Sequence, residues 1–290
     1  MRELKIGDVT ITSIVERDGP WRTPETMFPG YDPKIGKKYL AEMDPEVFDP
    51  ASGKMVITYQ TFLVRTPHHV ILVDTCTGED KGYPEPWNFP KQPWMDGLAA
   101  NGLGVGDIDY VFCTHLHIDH CGWNTKLVDG RWVPTFPRAK YIFHKREYAY
   151  WEAAAKQSED PRDNVWKMNC LPVVEAGQAL LVDDDFSLDD TVTLTPTPGH
   201  SPCHCCVNIF SGGMRASVTG DMMHHALQCR EPGWSTIFDI DPLQAADSRR
   251  SFLGSVADTS TLILPIHFPS PTLGRIEADG DRFHYRFIRS

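Results

Sequence analysis

The segment FCTHLHIDHCG, residues 112 to 122, carries the side chains with the clearest potential for chemistry in this chain. His115, His117, Asp119 and His120 fall within six positions, directly after a strand-like run. Alternate side chains at a strand end project to the same side, so His115 and His117 can reach one metal ion together. The chain then turns, and Asp119 and His120 can face a second ion. Imidazole and carboxylate are ligands that zinc and similar divalent metals take.

Three later segments each place a histidine or an aspartate at the end of a predicted strand. TPTPGHSPCH contributes His200, VTGD contributes Asp221 and LPIHFP contributes His267. A lone histidine in such a position is more often simply hydrogen-bonded. Together with the first segment, however, these residues make seven candidate ligands, which are enough for two ions that share one carboxylate.

The elements that must position these residues alternate between strands and helices. KIGDVTITSIVERDG alternates apolar and polar residues and predicts an opening strand, and predicted strands precede the candidate ligands. KREYAYWEAAAKQ and DPLQAADSRRSFLGSVAD predict helices, and Ser211-Gly212-Gly213 predicts a hairpin turn. This order favours a layered α/β architecture, with residues 1–290 forming a single domain.

Two segments rich in proline and aromatic residues do not fit this pattern. We expect residues 18–56 to form an irregular N-terminal arm that wraps the body of the protein or a neighbouring subunit. Residues 76–96 are expected to form a long loop. Long loops in compact domains are usually functional or mobile.

The bulk composition excludes several classes of protein. The chain has 290 residues, of which 41% are hydrophobic and 23% are charged, as is typical of globular proteins. The formal net charge of −11 repels phosphate backbones and disfavours nucleic-acid binding. No apolar stretch approaches the roughly 20 residues of a membrane-spanning helix, and the N-terminus does not read as a secretory signal. Eight cysteines in apolar surroundings predict reduced thiols, so we expect a cytoplasmic protein without nucleic-acid or membrane partners.

The ordered set HLHIDH, TPGH, GD and PIH resembles the metallo-β-lactamase superfamily, from about Asp74 to His267. The resemblance implies an α/β fold, a four-layered αβ/βα sandwich with the metals at one edge between the sheets. Asp74 matches the family's early structural aspartate and is expected to brace the ligand loop through hydrogen bonds. The remaining ligand assignments are also implied by the resemblance: one metal is held by His115, His117 and His200, the other by Asp119, His120 and His267, and Asp221 bridges them.

Within the superfamily, the sequence is most similar to the metallo-lactonases and the methyl-parathion-hydrolase-like enzymes. Asp221 argues against the common β-lactamase classes, and His117 stands where the di-iron flavoproteins have a glutamate. In acyl-homoserine lactonases a tyrosine follows the bridging aspartate by three residues, and His224 occupies that place here. The organophosphate-hydrolysing relatives tend to have histidine there. We therefore expect His224 to face the substrate and His225 to be structural.

The resemblance implies a dinuclear metal-dependent hydrolase that opens lactones or cleaves aryl esters by a metal-bridging hydroxide. Asp119 is expected to shuttle the proton, and His224 to donate a hydrogen bond to the developing oxyanion. Zinc is the first expectation for the two ions, although manganese, iron and cobalt accept the same ligands. One alternative is an organophosphate or other phosphoester hydrolase. An alternative of another class is a di-iron redox protein.

The walls of the substrate pocket are expected to be aromatic and to favour an apolar lactone or ester. A homodimer is also expected, mostly from the family resemblance. The candidate substrate-binding residues, besides His224, are Trp87, Phe89, Trp94, Trp123 and Phe238.

Overall fold

The computed structural model describes residues 3–83, 93–157 and 165–289. The chain divides into two compact units that are interleaved in sequence. Unit 1 comprises Met1–Asp8, Asp18–Thr58 and Ser187–Ser290, and unit 2 comprises Val9–Arg17 and Tyr59–Phe186. Because each unit is built from separate stretches, no linker in the sequence marks a boundary. The single domain expected from the sequence stays a prediction.

The described residues form eight α-helices and seventeen strands. The helices are α1 Pro24–Met27, α2 Pro33–Glu42, α3 Trp94–Ala100, α4 Lys145–Gln157, α5 Val165–Asn169, α6 Leu171–Glu175, α7 Leu227–Arg230 and α8 Pro242–Val256. The strands are β1 Leu4–Ile6, β2 Val9–Arg22, β3 Phe48–Asp49, β4 Lys54–Arg65, β5 Val70–Val73, β6 Tyr110–Phe112, β7 Thr125–Val128, β8 Arg131–Pro134, β9 Lys140–His144, β10 Ala179–Val182, β11 Ser187–Leu188, β12 Val192–Pro196, β13 Cys205–Ser211, β14 Met214–Val218, β15 Leu262–Leu264, β16 Gly274–Asp279 and β17 Arg282–Phe287.

Unit 2 contains a sheet in which β4, β5, β6, β9 and β10 are successive neighbours. β5, β6, β9 and β10 pair in parallel, and β4 is antiparallel to β5. The carboxyl ends of β5 and β6 therefore lie at the same edge. Asp74 follows β5 and the motif from His115 to His120 follows β6, so strand pairing alone brings these residues together.

Unit 1 contains a seven-stranded sheet in which β11 to β17 follow one another in sequence order. Its pairs are antiparallel except for β14 and β15, which run in parallel. Asp221 follows β14 and His267 follows β15, so these two residues also leave neighbouring parallel strands at one edge. The predicted turn at Ser211-Gly212-Gly213 joins β13 to β14, with positive φ at both glycines.

The expectation of an irregular arm at residues 18–56 is wrong in detail, because this stretch contains α2 and the short pair of β3 with β4. The reason is a start signal in the sequence. The side chain of Asp32 accepts a hydrogen bond from the Lys34 backbone N–H, and Pro33 occupies the first helical position, where it needs no donor. Whether the stretch contacts a neighbouring subunit stays a prediction.

Candidate functional site

In unit 2, Asp74 forms the centre of the loop that follows β6. Its carboxylate is fully buried and accepts hydrogen bonds from the Thr114 backbone N–H at 2.7 Å and the Thr114 hydroxyl at 2.8 Å. Its Oδ2 also lies 2.8 Å from Nδ1 of His120. Asp74 has a left-handed backbone, φ 59°, which a non-glycine residue adopts only where its surroundings hold it. The bracing role expected for Asp74 is confirmed.

These contacts decide which nitrogen each histidine presents. His120 donates its Nδ1 proton to Asp74, so its Nε2 carries the lone pair in the neutral ring. Thr114 has one hydroxyl proton, which it gives to Asp74, so its oxygen accepts from Nδ1 of His115 at 3.1 Å. His115 therefore also presents Nε2. Both rings are buried and their centroids lie 4.0 Å apart.

The other two residues of this motif lie beside them. His117 is half-buried, and its ring centroid lies 4.5 Å from that of His115 and 5.3 Å from that of Trp151. Asp119 is half-buried, and its Oδ1 lies 3.6 Å from Nε2 of His120. The structure thus brings together in unit 2 the four motif residues that the sequence singled out.

In unit 1, three imidazoles surround the buried carboxylate of Asp221. Nε2 of His200 lies 3.2 Å from Oδ2, Nε2 of His224 lies 3.0 Å from Oδ2, and Nε2 of His267 lies 2.9 Å from Oδ1. The ligand atoms of Asp221, His224 and His267 all lie within 4.8 Å of one another. Two donors on one zinc ion, each bonded at 2.0–2.2 Å, are roughly 3–4 Å apart, so these side chains fit a divalent cation.

His200 and His267 are held in the same manner as the histidines of unit 2. Nδ1 of His200 lies 2.8 Å from Oδ1 of Asp239, and Nδ1 of His267 donates to the carbonyl oxygen of Thr58 at 2.8 Å. Burial opposes the charged ring of His200, but Asp221 and Asp239 outweigh it and raise the pKa to about 9. Binding of a cation at Nε2 would therefore release a proton.

The adjacent residues His224 and His225 have different surroundings. The Nδ1 atom of His224 is buried and has no hydrogen-bond partner within residues 3–83, 93–157 and 165–289. Burial lowers the pKa of His224, although Asp221 opposes this shift, and Nε2 of the ring faces the carboxylate of Asp221. His225 donates from Nε2 to the carbonyl of Val47 and accepts at Nδ1 from the Leu227 N–H, which is a structural role as expected. Burial lowers its pKa to about 4.

Sequence reasoning missed two residues that support the candidate ligands of unit 1. His204 is fully buried, and its Nε2 accepts the backbone N–H of Asp221 at 2.9 Å while its Nδ1 pairs with the Thr197 hydroxyl at 2.7 Å. Asp239 holds His200 from a position 39 residues further along the chain. The TPGHSPCH segment does contain His204, but no pattern in the sequence links Asp239 to it.

The aromatic residues proposed as pocket walls have different surroundings. Trp87 and Phe89 lie outside the described residues. Trp94 is 0% exposed, stacks on Trp123 at 5.4 Å and donates its indole N–H to Thr61, so it is a core residue of unit 2. Trp123 is 4% exposed and belongs to the same core.

Phe238 is the described aromatic candidate that lies next to the ligand cluster of unit 1. It is half-buried, and its ring centroid lies 6.2 Å from that of His224. The guanidinium carbon of Arg22 lies 4.9 Å from the centre of the same ring. Phe238 therefore combines accessible apolar surface with proximity to a candidate site residue.

Comparisons with known proteins identify the family of this chain. A family model described as the metallo-beta-lactamase superfamily matches residues 59–267. The N-acyl homoserine lactonase AttM of Agrobacterium fabrum is 31% identical over 123 residues, and that of Azorhizobium caulinodans is 31% identical over 117 residues. The matched stretch covers 39% of this chain and 40% of the first relative, so the likeness spans about two fifths of that protein.

Solved structures extend the likeness over nearly the whole chain. A hydrolase of the beta-lactamase superfamily, AbOPH, superposes with a TM-score of 0.80 at 23% identity, covering 99% of this chain and 97% of its own. AidC, a dizinc quorum-quenching lactonase solved with a product, has a TM-score of 0.79 at 20% identity and coverages of 99% and 98%. At these identities the likeness establishes the fold. Among the described residues, no helix is long and apolar enough to cross a membrane.

Proposed function

Because the chain belongs to the metallo-β-lactamase superfamily and has its fold, we propose that it is a metal-dependent hydrolase that opens lactones or cleaves aryl esters. The observation that carries the proposal is the orientation of four imidazoles. His115, His120, His200 and His267 are all held at Nδ1 by an oxygen acceptor, so Nε2 is the atom that each ring would offer to a cation. Such carboxylate, hydroxyl or carbonyl partners are the usual supports of metal-binding histidines.

The proposed cofactor is a pair of divalent ions, with zinc the first expectation. The ligand assignment is the one that the resemblance to the superfamily implies. His115, His117 and His200 would bind one ion, Asp119, His120 and His267 the other, and Asp221 would bridge the two. When bound, such ions lower the pKa of water and polarise the oxygen of a carbonyl group.

The chain's own residues would then handle protons. The side chain of Asp119 is 16% exposed and lies beside His120, so it can accept a proton near the reacting water and pass it to the solvent. Nε2 of His224 lies 3.0 Å from Asp221, so a neutral ring that donates to Asp221 has no proton on Nδ1. His224 would donate a hydrogen bond to an oxyanion from Nδ1 only after the proton moved to that nitrogen.

Lactones are proposed ahead of other substrates because the relatives named above are N-acyl homoserine lactonases. The half-buried ring of Phe238 next to His224 supports an apolar group on the substrate.

The test is proton release from a panel of γ- and δ-lactones, aryl esters and one phosphotriester, followed with a pH indicator. Zinc-loaded chain should open at least one lactone, and the same chain treated with a chelator should not. Asp221→Asn should lose bound zinc and turnover together, whereas His68→Asn, on an exposed turn, should retain both. Turnover that survives both chelation and Asp221→Asn would exclude a metal-dependent reaction.

The other outcomes separate the rival functions. Turnover of the phosphotriester alone would favour a phosphoester hydrolase. No turnover, together with bound iron that changes oxidation state, would favour a redox protein.

We also propose a cytoplasmic homodimer. All eight cysteines are buried free thiols, which supports a reducing compartment. Light scattering on purified chain tests the oligomeric state, since a mass equal to the 32.7 kDa of one chain would exclude the dimer.

A further inference from the structure

Asp239 and Arg249 form a buried network in unit 1 that the reaction proposed above does not use. Asp239 is 8% exposed and Arg249 is 0% exposed. An ionised pair in the interior is costly unless each partner is well satisfied, so its surroundings are informative about what it holds. Burial opposes ionisation of Asp239, but His200 and Arg249 outweigh it and lower the pKa of this carboxyl group.

The carboxylate of Asp239 is fixed from several sides. It accepts the backbone N–H and the hydroxyl of Thr236, both at 2.9 Å, and its Oδ2 lies 3.6 Å from Nη2 of Arg249. Its Oδ1 lies 2.8 Å from Nδ1 of His200. The Thr236 hydroxyl therefore shares Oδ1 with the imidazole, while the Thr236 N–H and Arg249 hold Oδ2, so the carboxylate is fixed at both oxygens and the ring of His200 has little freedom to turn.

Arg249 connects this carboxylate to the turn that carries Asp221. Its Nε donates to the carbonyl of Met222 and its Nη1 donates to the carbonyl of Pro232, both at 2.7 Å. Met222 directly follows Asp221 in the short turn Gly220–Met222. One planar guanidinium therefore contacts both the support of His200 and the backbone next to Asp221.

The helix that bears Arg249 is itself joined to the His200 turn. The hydroxyl of Ser248, on α8, donates to the carbonyl of Pro198 at 2.6 Å, and the N–H of Asp241, the N-cap of α8, donates to the carbonyl of Gly199 at 2.8 Å. The Ile240 N–H donates to the carbonyl of His200 at 3.2 Å. The segment around Asp239 and the start of α8 therefore hold both the backbone and the ring of His200.

We infer that Asp239 and Arg249 are positioning residues that keep His200 with its Nδ1 bound and its Nε2 directed at Asp221, in the arrangement that a metal ion requires. The inference rests on the proposed metal-dependent function. In this inference, Asp239 holds the ring of His200, and Arg249 holds Asp239 at a fixed position relative to the turn that contains Asp221. Neither residue is placed in contact with a substrate.

Cobalt affinity, measured by competition with a chelator, tests this inference together with the visible spectrum of the cobalt-loaded chain. Asp239→Asn should weaken cobalt binding by roughly 10–100-fold, which is the usual effect of removing a support of a metal ligand. Arg249→Lys keeps the charge but loses the planar fork, so it should weaken binding by about tenfold. Asp247→Asn, an exposed substitution on the same helix, is the matched control and should leave affinity unchanged. Affinity within about twofold of the parent in folded Asp239→Asn would overturn the inference.

A second measurement separates the inference from the proposed function. In chelated chain labelled with ¹⁵N-histidine, Nδ1 of His200 should carry a slowly exchanging proton, which Asp239→Asn should lose or expose to fast exchange. If the parent chain fails to bind cobalt, the metal-dependent function falls, but this nitrogen signal still decides the positioning role. An unprotonated Nδ1 in the parent chain would overturn it. If Asp239→Asn fails to fold, the ¹⁵N signal of the parent chain still tests the inference.

Discussion

Gly199, directly before His200, is a position where a single methyl group should be poorly tolerated. A Cβ at this position would lie 2.1 Å from the backbone nitrogen and 2.5 Å from the Cα of Ala245, in the first turn of α8. Its φ of +125° is also a backbone conformation that side chains with a Cβ rarely adopt. Because the clashing atoms belong to the backbone, no rotation of a side chain can relieve them. We therefore expect Gly199→Ala to destabilise the chain.

The magnitude follows from two costs. An unfavourable φ at a residue with a Cβ costs about 1–3 kcal/mol. Forcing an extra carbon atom into a packed region costs about 1–3 kcal/mol more. Gly199→Ala should thus lower the free energy of unfolding by about 2–6 kcal/mol, a large share of the roughly 5–15 kcal/mol of a typical protein. The direction of this change does not depend on any metal.

Gly254→Ala is the matched control, because it is the same chemical change in the helix that Gly199 contacts. Gly254 lies within α8, is exposed, and a Cβ there would meet nothing within 4 Å. Alanine is favoured over glycine in a helix by up to about 1 kcal/mol, so this variant should be slightly more stable than the parent. Urea unfolding of chelated samples, followed by circular dichroism, measures both values. A loss below about 1 kcal/mol for Gly199→Ala, or the same sign for both variants, would refute the packing argument.

Three further predictions concern a support, a buried charge and a pair of aromatic residues. Asp74→Asn should reduce zinc affinity roughly 10–100-fold in a chelator competition. The reason is that an amide NH₂ would face the Nδ1 proton of His120 and force the ring to carry its proton on Nε2 instead. Unchanged affinity would contradict this prediction. Burial lowers the pKa of Lys81 to about 7 in the folded chain, from 10.5. Between pH 7 and 10.5 the unfolded chain therefore binds a proton at Lys81 that the folded chain has lost. In this range Lys81 makes the free energy of unfolding rise with pH. The rise between pH 7 and 8 should be about 1 kcal/mol smaller in Lys81→Met than in the parent, and identical slopes would show that Lys81 is solvated. Trp94→Ala should cost about 3–5 kcal/mol of stability in urea, whereas Phe238→Ala should leave stability nearly unchanged and raise KM for apolar lactones; the reverse pattern would exchange their roles.

The candidate ligands could be recognised in the sequence because their chemistry is local. His115, His117, Asp119 and His120 follow one strand within six positions, so side-chain type and spacing were sufficient. The strands before Asp221 and His267 are also predicted from the sequence. Parallel pairing of β14 with β15, which no local pattern specifies, is what brings these last two residues to one edge.

The supports of the ligands could not be found in this way, because a hydrogen-bond partner leaves no trace in the spacing of residues. Asp239 lies 39 residues after His200, and Arg249 lies 27 residues after Met222. Both have types that are common on surfaces, and only the folded chain reveals that they are buried. Asp74 was recognised only because the family resemblance pointed to it.

The burial of the two tryptophans also could not be predicted from the sequence. Trp94 and Trp123 flank or follow segments that read as functional loops, yet they stack on each other in the core of unit 2. The helix α2 was missed for a different reason. Asp32 and Pro33 form a clear start signal, but the surrounding glycines and prolines of residues 18–56 concealed it. In both cases the composition of a long segment gave the wrong expectation, because burial and helix formation depend on individual residues and their neighbours.

In the segment from Thr236 to Asp241, residues that make structural hydrogen bonds are interspersed with residues whose side chains are accessible. This arrangement determines which positions can be substituted. Thr236, Asp239 and Asp241 are tied to the ligand support or to the start of α8. Between them, Ile237 and Ile240 are 52% and 43% exposed, and Phe238 is half-buried. Mutations at these three intervening positions can alter the exposed apolar surface of this segment without removing the hydrogen bonds of Thr236, Asp239 and Asp241. Under the proposed function, a saturation library that aims to change substrate preference is therefore best confined to positions 237, 238 and 240.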